Sequence, residues 1–460
     1  MSPRTLAWIA QAVGGRLAGA DRTVDAIATD TRALPGGQAL FVALKGGNFD
    51  GHAHVQAAAE GGCVAALVSR PVDVAIPQIV VADTERALAS LAAAVQGTRA
   101  TKVLAVTGSN GKTSVKTLLH AILRQLGGAY ANPGNRNNEI GLPLAVLEAP
   151  DDARFAVYEM GAGKPGDIAY LTAIARPDVA LVNNIAPAHL ERMGSLLGVA
   201  QTKGAIYQAL PDDGVAVVNA DDAFARYFLE RLRGRRTLRF GLEAGADVSA
   251  RAIQAGIDGS RFVLVAPQGE VDVHLPLPGR HNVRNALAAA SMALAVGATL
   301  EQIRAGLDTV EPVAGRLATR RLASGATLID DSYNANPGSL AAAIETLAGS
   351  GAEAWLVLGD MRELGADEAA LHAEAGAQAK AAGIARLYAL GALSAHAARA
   401  FGEGGRVFAT HAELADALGA ELHAGVAVLV KGSRSSAMDR IVAALLQREA
   451  GRGGENIGAA

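Results

Sequence analysis

Residues Thr107-Gly108-Ser109-Asn110-Gly111-Lys112-Thr113-Ser114 limit the fold more than any other stretch of this chain. An apolar run, Val103-Leu104-Ala105-Val106, precedes them, and a helix-like segment at 115–126 follows. A strand that turns through glycines directly into a helix sends that helix back over a sheet, so the next strand pairs in parallel. The same turn is a seat for phosphate. Its glycines let backbone N–H groups approach oxygens closely, and the helix N-terminus adds positive potential. Lys112 is spaced to reach terminal phosphates, and the Thr113 hydroxyl to hold Mg²⁺. ATP and Mg²⁺ are therefore the expected ligands. Val106 stands where a standard Walker loop has its first glycine, so the loop is a variant of that motif.

Around this loop the chain divides into three blocks. Residues 1–98 carry short apolar runs at 39–44, 64–68 and 78–81, then a helix at 83–96. Residues 99–312 open with the phosphate loop and continue with apolar strands at 156–159, 179–183 and 215–219. From 313 to 460 the pattern restarts, with strands at 328–331, 355–360, 387–391 and 426–430 separated by helical segments. This alternation predicts an α/β protein of three domains: an N-terminal α/β domain, a central P-loop-type mononucleotide-binding domain, and a C-terminal Rossmann-like doubly wound domain. Polar residues follow the strands directly (Asp331, Asp360, Lys431), at the sheet edge where open α/β folds bind ligands.

Charge and composition exclude several classes. With a formal net charge of -3, no long basic run and 4% aromatic residues, nothing suggests a nucleic-acid surface. The single cysteine, Cys63, rules out a disulfide within the chain and reads as a small buried apolar residue. The longest uncharged stretch, 285–300, contains Asn, Ser, Gly and Thr and reads as a buried helix and turn, not a membrane span. The N-terminus lacks the sustained apolar core of a signal peptide, and a cytoplasmic protein is expected.

Further residues could carry chemistry. Glu159 ends a strand beside the loop, where a carboxylate can bind Mg²⁺ or merely face solvent. His189 lies just past a strand, and Lys203 on the helix-like stretch after it. Asn282, in Gly279-Arg280-His281-Asn282, is turn-like and polar. Arg316, after Gly315, could reach a phosphate across a domain gap, since guanidinium suits that partner.

Taken together, the order of phosphate loop, Glu159, His189, Lys203 and Asp331-Ser332-Tyr333-Asn334-Ala335-Asn336-Pro337 resembles the Mur ligases of bacterial cell-wall synthesis, and within them the D-alanyl-D-alanine-adding branch. The resemblance spans almost the whole chain. Asp30-Thr31-Arg32 and Asp50-Gly51-His52 look like the family's uridine-nucleotide end. Asn135-Arg136-Asn137-Asn138 looks like the loop that contacts the muramoyl substrate. Gly279-Arg280-His281-Asn282, Gly315-Arg316-Leu317, Gly359-Asp360-Met361 and Lys431-Gly432-Ser433-Arg434 match the remaining pattern. Ser109 and Ser114 replace the usual threonines, and Ala205 stands where a glutamate is common.

The resemblance implies an ATP-dependent amide ligase that joins UDP-N-acetylmuramoyl-tripeptide to D-alanyl-D-alanine through an acyl phosphate, acting as a monomer. Lys112 and Arg316 would offset negative charge. Thr113 and Glu159 would hold one Mg²⁺, and His189 a second. Lys203 would become a carbamate able to bind metal. The loop from Thr107 to Ser114, with Asn282, Arg316, Asp331, Asn334 and Asn336, would face ATP, although the last two asparagines are also candidates for the dipeptide. Asp30, Thr31, Arg32, Asn135, Asn137 and Asn138 would face the tripeptide substrate. The rival readings are a sibling ligase adding a diamino acid or glutamate, and an ATP-hydrolysing switch.

Overall fold

The structure, a computed structural model, describes residues 1–187, 190–243 and 245–455. Each of the three blocks is built on its own sheet. The first sheet has five strands, ordered Arg16–Ala18, Gln78–Val80, Ala65–Val68, Ala39–Val42 and Ala26–Ala28, all parallel except the first pair. Its two central strands are buried along their whole length, which is why they read as unbroken apolar runs rather than alternating ones. The helix Thr84–Gln96 covers one face and is capped by Asp83, which accepts from the N–H groups of Glu85 and Arg86.

The central sheet has six parallel strands, ordered Arg236–Phe240, Val215–Asn219, Val179–Val182, Lys102–Thr107, Phe155–Glu159 and Ala129–Ala131. Lys102–Thr107 is an inner strand, so the loop it feeds emerges between the ends of two neighbours, and those neighbours contribute Glu159 and Asn183. The helix Lys112–Arg124 packs through Val115, Leu118, Leu119, Ile122 and Leu123, one apolar stripe at helical spacing.

One element departs from the predicted parallel pattern. Ser249–Gly256, Gly259–Ala266 and Gly269–Leu275 form a separate antiparallel meander. Alternate residues Phe262, Leu264 and Ala266 turn inward, towards a core shared with the helix Arg280–Ala295. That helix contains most of the uncharged 285–300 stretch. Among the described residues, no helix is long and apolar enough to cross a membrane.

The third sheet runs Ala318–Arg321, Thr327–Asp331, Val426–Lys431, Glu353–Gly359, Arg386–Leu390 and Gly405–Phe408, parallel apart from its first pair. Its strand ends place Asp331 and Lys431 in a cavity shared with the central unit. The predicted three-part α/β architecture is therefore the observed one, with the meander as an addition.

Candidate active site between two sheets

The phosphate loop owes its shape to glycine. Gly111 has φ 78°, and a Cβ there would lie 2.5 Å from both Asn183 Nδ2 and Asn285 Oδ1. Only hydrogen fits, so the backbone stays open at the start of the helix. Lys112 curls over the loop and donates to Gly108 O at 2.8 Å. Burial pulls its ammonium below the ordinary lysine range, opposed by Glu159 and helped by Arg316. The Ser109 hydroxyl donates to Ala186 O and fixes the loop's flank. Thr107, expected on the nucleotide, turns its buried hydroxyl to Met160 O at 2.9 Å, so that side chain serves the sheet instead.

Thr113 and Glu159 meet as predicted, with the Thr113 hydroxyl donating to Glu159 Oε2 at 2.7 Å. Asn137 Nδ2 donates to the other oxygen, also at 2.7 Å. Burial works against charge on Glu159, but Lys116 and Lys112 outweigh it and hold the carboxyl below the usual carboxylate range. A buried, ionised carboxylate beside a hydroxyl is a donor set that fits Mg²⁺, a hard cation that takes one or two protein oxygens and completes its shell with phosphate and water. Among the described residues, no cluster of three or more His, Cys, Asp or Glu suits a metal held by protein alone.

Lys116 was not singled out from the sequence. It is buried one turn past Thr113, donates to Asn132 O (2.9 Å) and Gly134 O (2.8 Å), and stands 3.4 Å from Glu159. Its partners are mostly backbone carbonyls, which a side-chain pattern does not reveal.

A chain of asparagines joins the loop to both flanking parts. Asn282 accepts from Asn285, Asn285 accepts from Asn183, and Asn183 donates to Asn110 O. Asn110 then accepts from Asn336 Nδ2 at 2.7 Å, across 226 residues of sequence. Asn336 thus contacts the phosphate loop, and its own Oδ1 caps the helix Pro337–Ala348. The spacing of Asn282 and Asn285 on one helix face was a readable signal for the second, which sequence reasoning passed over.

Between the central and C-terminal sheets lies a cavity of about 390 Å³. Ser109, Asn110, Gly111, Lys112, Thr113, Ser114, Asn135, Asn137 and Glu159 line one side, and Arg316, Asp331, Asn334 and Asn336 the other. Asn282 also lines it. Asp331, expected on ATP, is paired within the cavity to Lys431 at 2.5 Å. Asn334 directs its Oδ1 to the N–H of Ala335. A second cavity of about 350 Å³ adjoins the first, shares Lys112 and Asn137 with it, and includes Asn138, Lys164 and Asp167.

Lys203 is buried on the helix Leu196–Gln208. Burial, then the charge of Lys112, pushes its amine well below the ordinary range, against the pull of Asp167. His189 lies outside the described residues. Asp30, Thr31 and Arg32 line neither cavity. Asp30 and Arg32 are paired at 2.6 Å on the first unit, and that bond holds the Asp30 carboxyl down at about 2. His52 is buried between Asp50 and Ser69, as a lock within the same unit.

Residues 106–293 match the Mur ligase middle domain, and residues 315–434 the Mur ligase glutamate ligase domain. The UDP-N-acetylmuramoyl-tripeptide--D-alanyl-D-alanine ligase of Escherichia coli is 46% identical over 96% of this chain and 98% of its own. The crystal structure of MurF from Acinetobacter baumannii superposes with a TM-score of 0.92 at 35% identity, covering 97% of this chain and 99% of that one. MurF ligase from Thermotoga maritima in complex with ADP superposes at 0.83 and 28% identity, covering 93% and 99%.

Proposed function

This chain belongs to the Mur ligase family, and from that premise we propose that it joins D-alanyl-D-alanine to UDP-N-acetylmuramoyl-tripeptide with consumption of ATP. One observation carries the choice within the family. The likeness to the Escherichia coli ligase named for this reaction runs through 96% of the chain, well beyond the two matched domains. The product is a pentapeptide precursor of peptidoglycan.

Amide formation from a carboxylate is uphill in water. The tripeptide carboxylate therefore attacks the γ-phosphate, ADP leaves, and an acyl phosphate results. The dipeptide amine then attacks that carbonyl and expels phosphate. The protein's part is positioning and charge neutralisation. We assign Lys112 and Arg316 to the phosphates, and the Gly108 to Gly111 backbone to their oxygens. Thr113 and Glu159 would hold Mg²⁺, with His189 and a carbamylated Lys203 at a second site. When bound, the metal neutralises phosphate charge. A neutral, buried amine is what carbamate formation requires, and the pull on Lys203 supports that role. Residues 1–98 would carry the uridine nucleotide, and 99–312 ATP, with Arg316, Asp331, Asn334 and Asn336 of 313–460 facing it. The same reading makes the protein a cytoplasmic monomer.

Phosphate release is the direct test. With ATP, Mg²⁺, tripeptide substrate and D-alanyl-D-alanine, omission of either peptide should abolish release. Release supported by a single amino acid in place of the dipeptide would move the chain to a sibling ligase. Release with ATP alone would make it a hydrolase.

A further inference from the structure

The amine substrate carries a charge that the reaction leaves untouched. D-Alanyl-D-alanine offers its amino end for attack and keeps a carboxylate at the other. Taken into a cleft, that carboxylate needs a cationic partner.

Four cations of the C-terminal unit come into question: Arg316 and Lys431 line the cavity, and Arg434 stands outside its lining beside Tyr333, which does line it, with Arg362 farther along the same edge. Lys431 is committed, at 2.5 Å from Asp331 and 3.0 Å from Asn334 O. Arg362 is paired with Asp360 at 3.3 Å. Arg316 lines the cavity, and its charge is felt by Lys112 and Lys116, which sets it on the phosphate side. Arg434 is exposed and has no carboxylate partner among the described residues.

Tyr333 connects the last two. Arg316 Cζ lies 4.3 Å from its ring centroid and Arg434 Cζ 5.6 Å. The backbone of Tyr333 is fixed beside Gly315. The Tyr333 N–H donates to Gly315 O at 3.1 Å, and at Gly315, with φ 73°, a Cβ would stand 3.1 Å from Tyr333 Cβ. A guanidinium resting on an aromatic face is ordered yet keeps its N–H edge free for a carboxylate.

We propose that Arg434, braced by Tyr333, receives the terminal carboxylate of D-alanyl-D-alanine, directing the amine past the ring towards Arg316 and the activated carbonyl. The proposal rests on the ligase reading above. It is tested by comparing D-alanyl-D-alanine with its uncharged C-terminal amide as substrates. Arg434→Gln should raise KM for the free acid roughly ten- to a hundredfold, leave kcat/KM for the amide within about twofold, and leave KM for ATP and tripeptide unchanged. Arg434→Lys should recover part of the loss, and Tyr333→Leu should reproduce it. An unchanged KM for the free acid, or equal losses on acid and amide, overturns the assignment. If the unaltered protein ligates neither compound, the ligase reading fails first, and the proposal with it.

Discussion

Lys203 is a cation by composition, set in surroundings that disfavour its charge. Its burial and the nearby charge of Lys112 favour the neutral form, and only that form can add CO₂. If Lys203 supports a metal site, Lys203→Ala should lower kcat by about ten- to a hundredfold, and short carboxylic acids should restore part of it. A variant with unaltered rate would remove Lys203 from the mechanism. At this scale the sequence was informative where chemistry is local. The phosphate loop, Thr113 and Glu159 lie together as their spacing predicts. It was uninformative where a role depends on distant backbone. Lys116 works through the carbonyls of Asn132 and Gly134, and nothing in its neighbours' side chains announces that. Thr107 misled for a related reason, because the last residue of a strand points its side chain by the pleat and not by the motif.

The helix Pro337–Ala348 starts with a residue that does two things. Asn336 caps the helix through Oδ1 and reaches Asn110 through Nδ2. Substitution can separate these roles. Asn336→Ser retains a capping oxygen but is too short to touch Asn110. It should keep the thermal midpoint and raise KM for ATP a few-fold. Asn336→Ala should also cost about 1 kcal/mol of stability from the lost cap. Thermal unfolding beside nucleotide kinetics checks both, and wild-type KM for ATP in the Ser variant would deny the contact any role. Most elements of this kind were legible, because fully buried parallel strands leave continuous apolar runs. The meander of residues 249–275 was not. Its strands are exposed on one face and alternate weakly, and its hairpin signal, Asp258-Gly259, is easily lost in a glycine-rich chain.

Across the whole molecule, the C-terminal unit sits against the phosphate loop. Gly338 lies so near that a Cβ would stand 3.3 Å from Asn110 Nδ2 and 3.7 Å from Ala186 Cβ. The cavity has walls from both units, so it exists in full only while they are together. In solution, X-ray scattering should show the radius of gyration falling when a non-hydrolysable ATP analogue and the tripeptide substrate are added together. No compaction would mean that the two units are held this way without ligand. The facing of the C-terminal unit and the phosphate loop was expected from Arg316 and Asp331, but the particular contact, Asn336 on Asn110, was not, because it joins two polar side chains 226 residues apart.

Lys112 and Asn137 belong to both cavities. A partition common to two chambers cannot respond to one occupant alone. If one cavity takes a ligand that moves these two side chains, the shape of the other changes with it, and any coupling of affinities would be reciprocal. The two chambers thus share one thin wall, built from a lysine and an asparagine of the central unit.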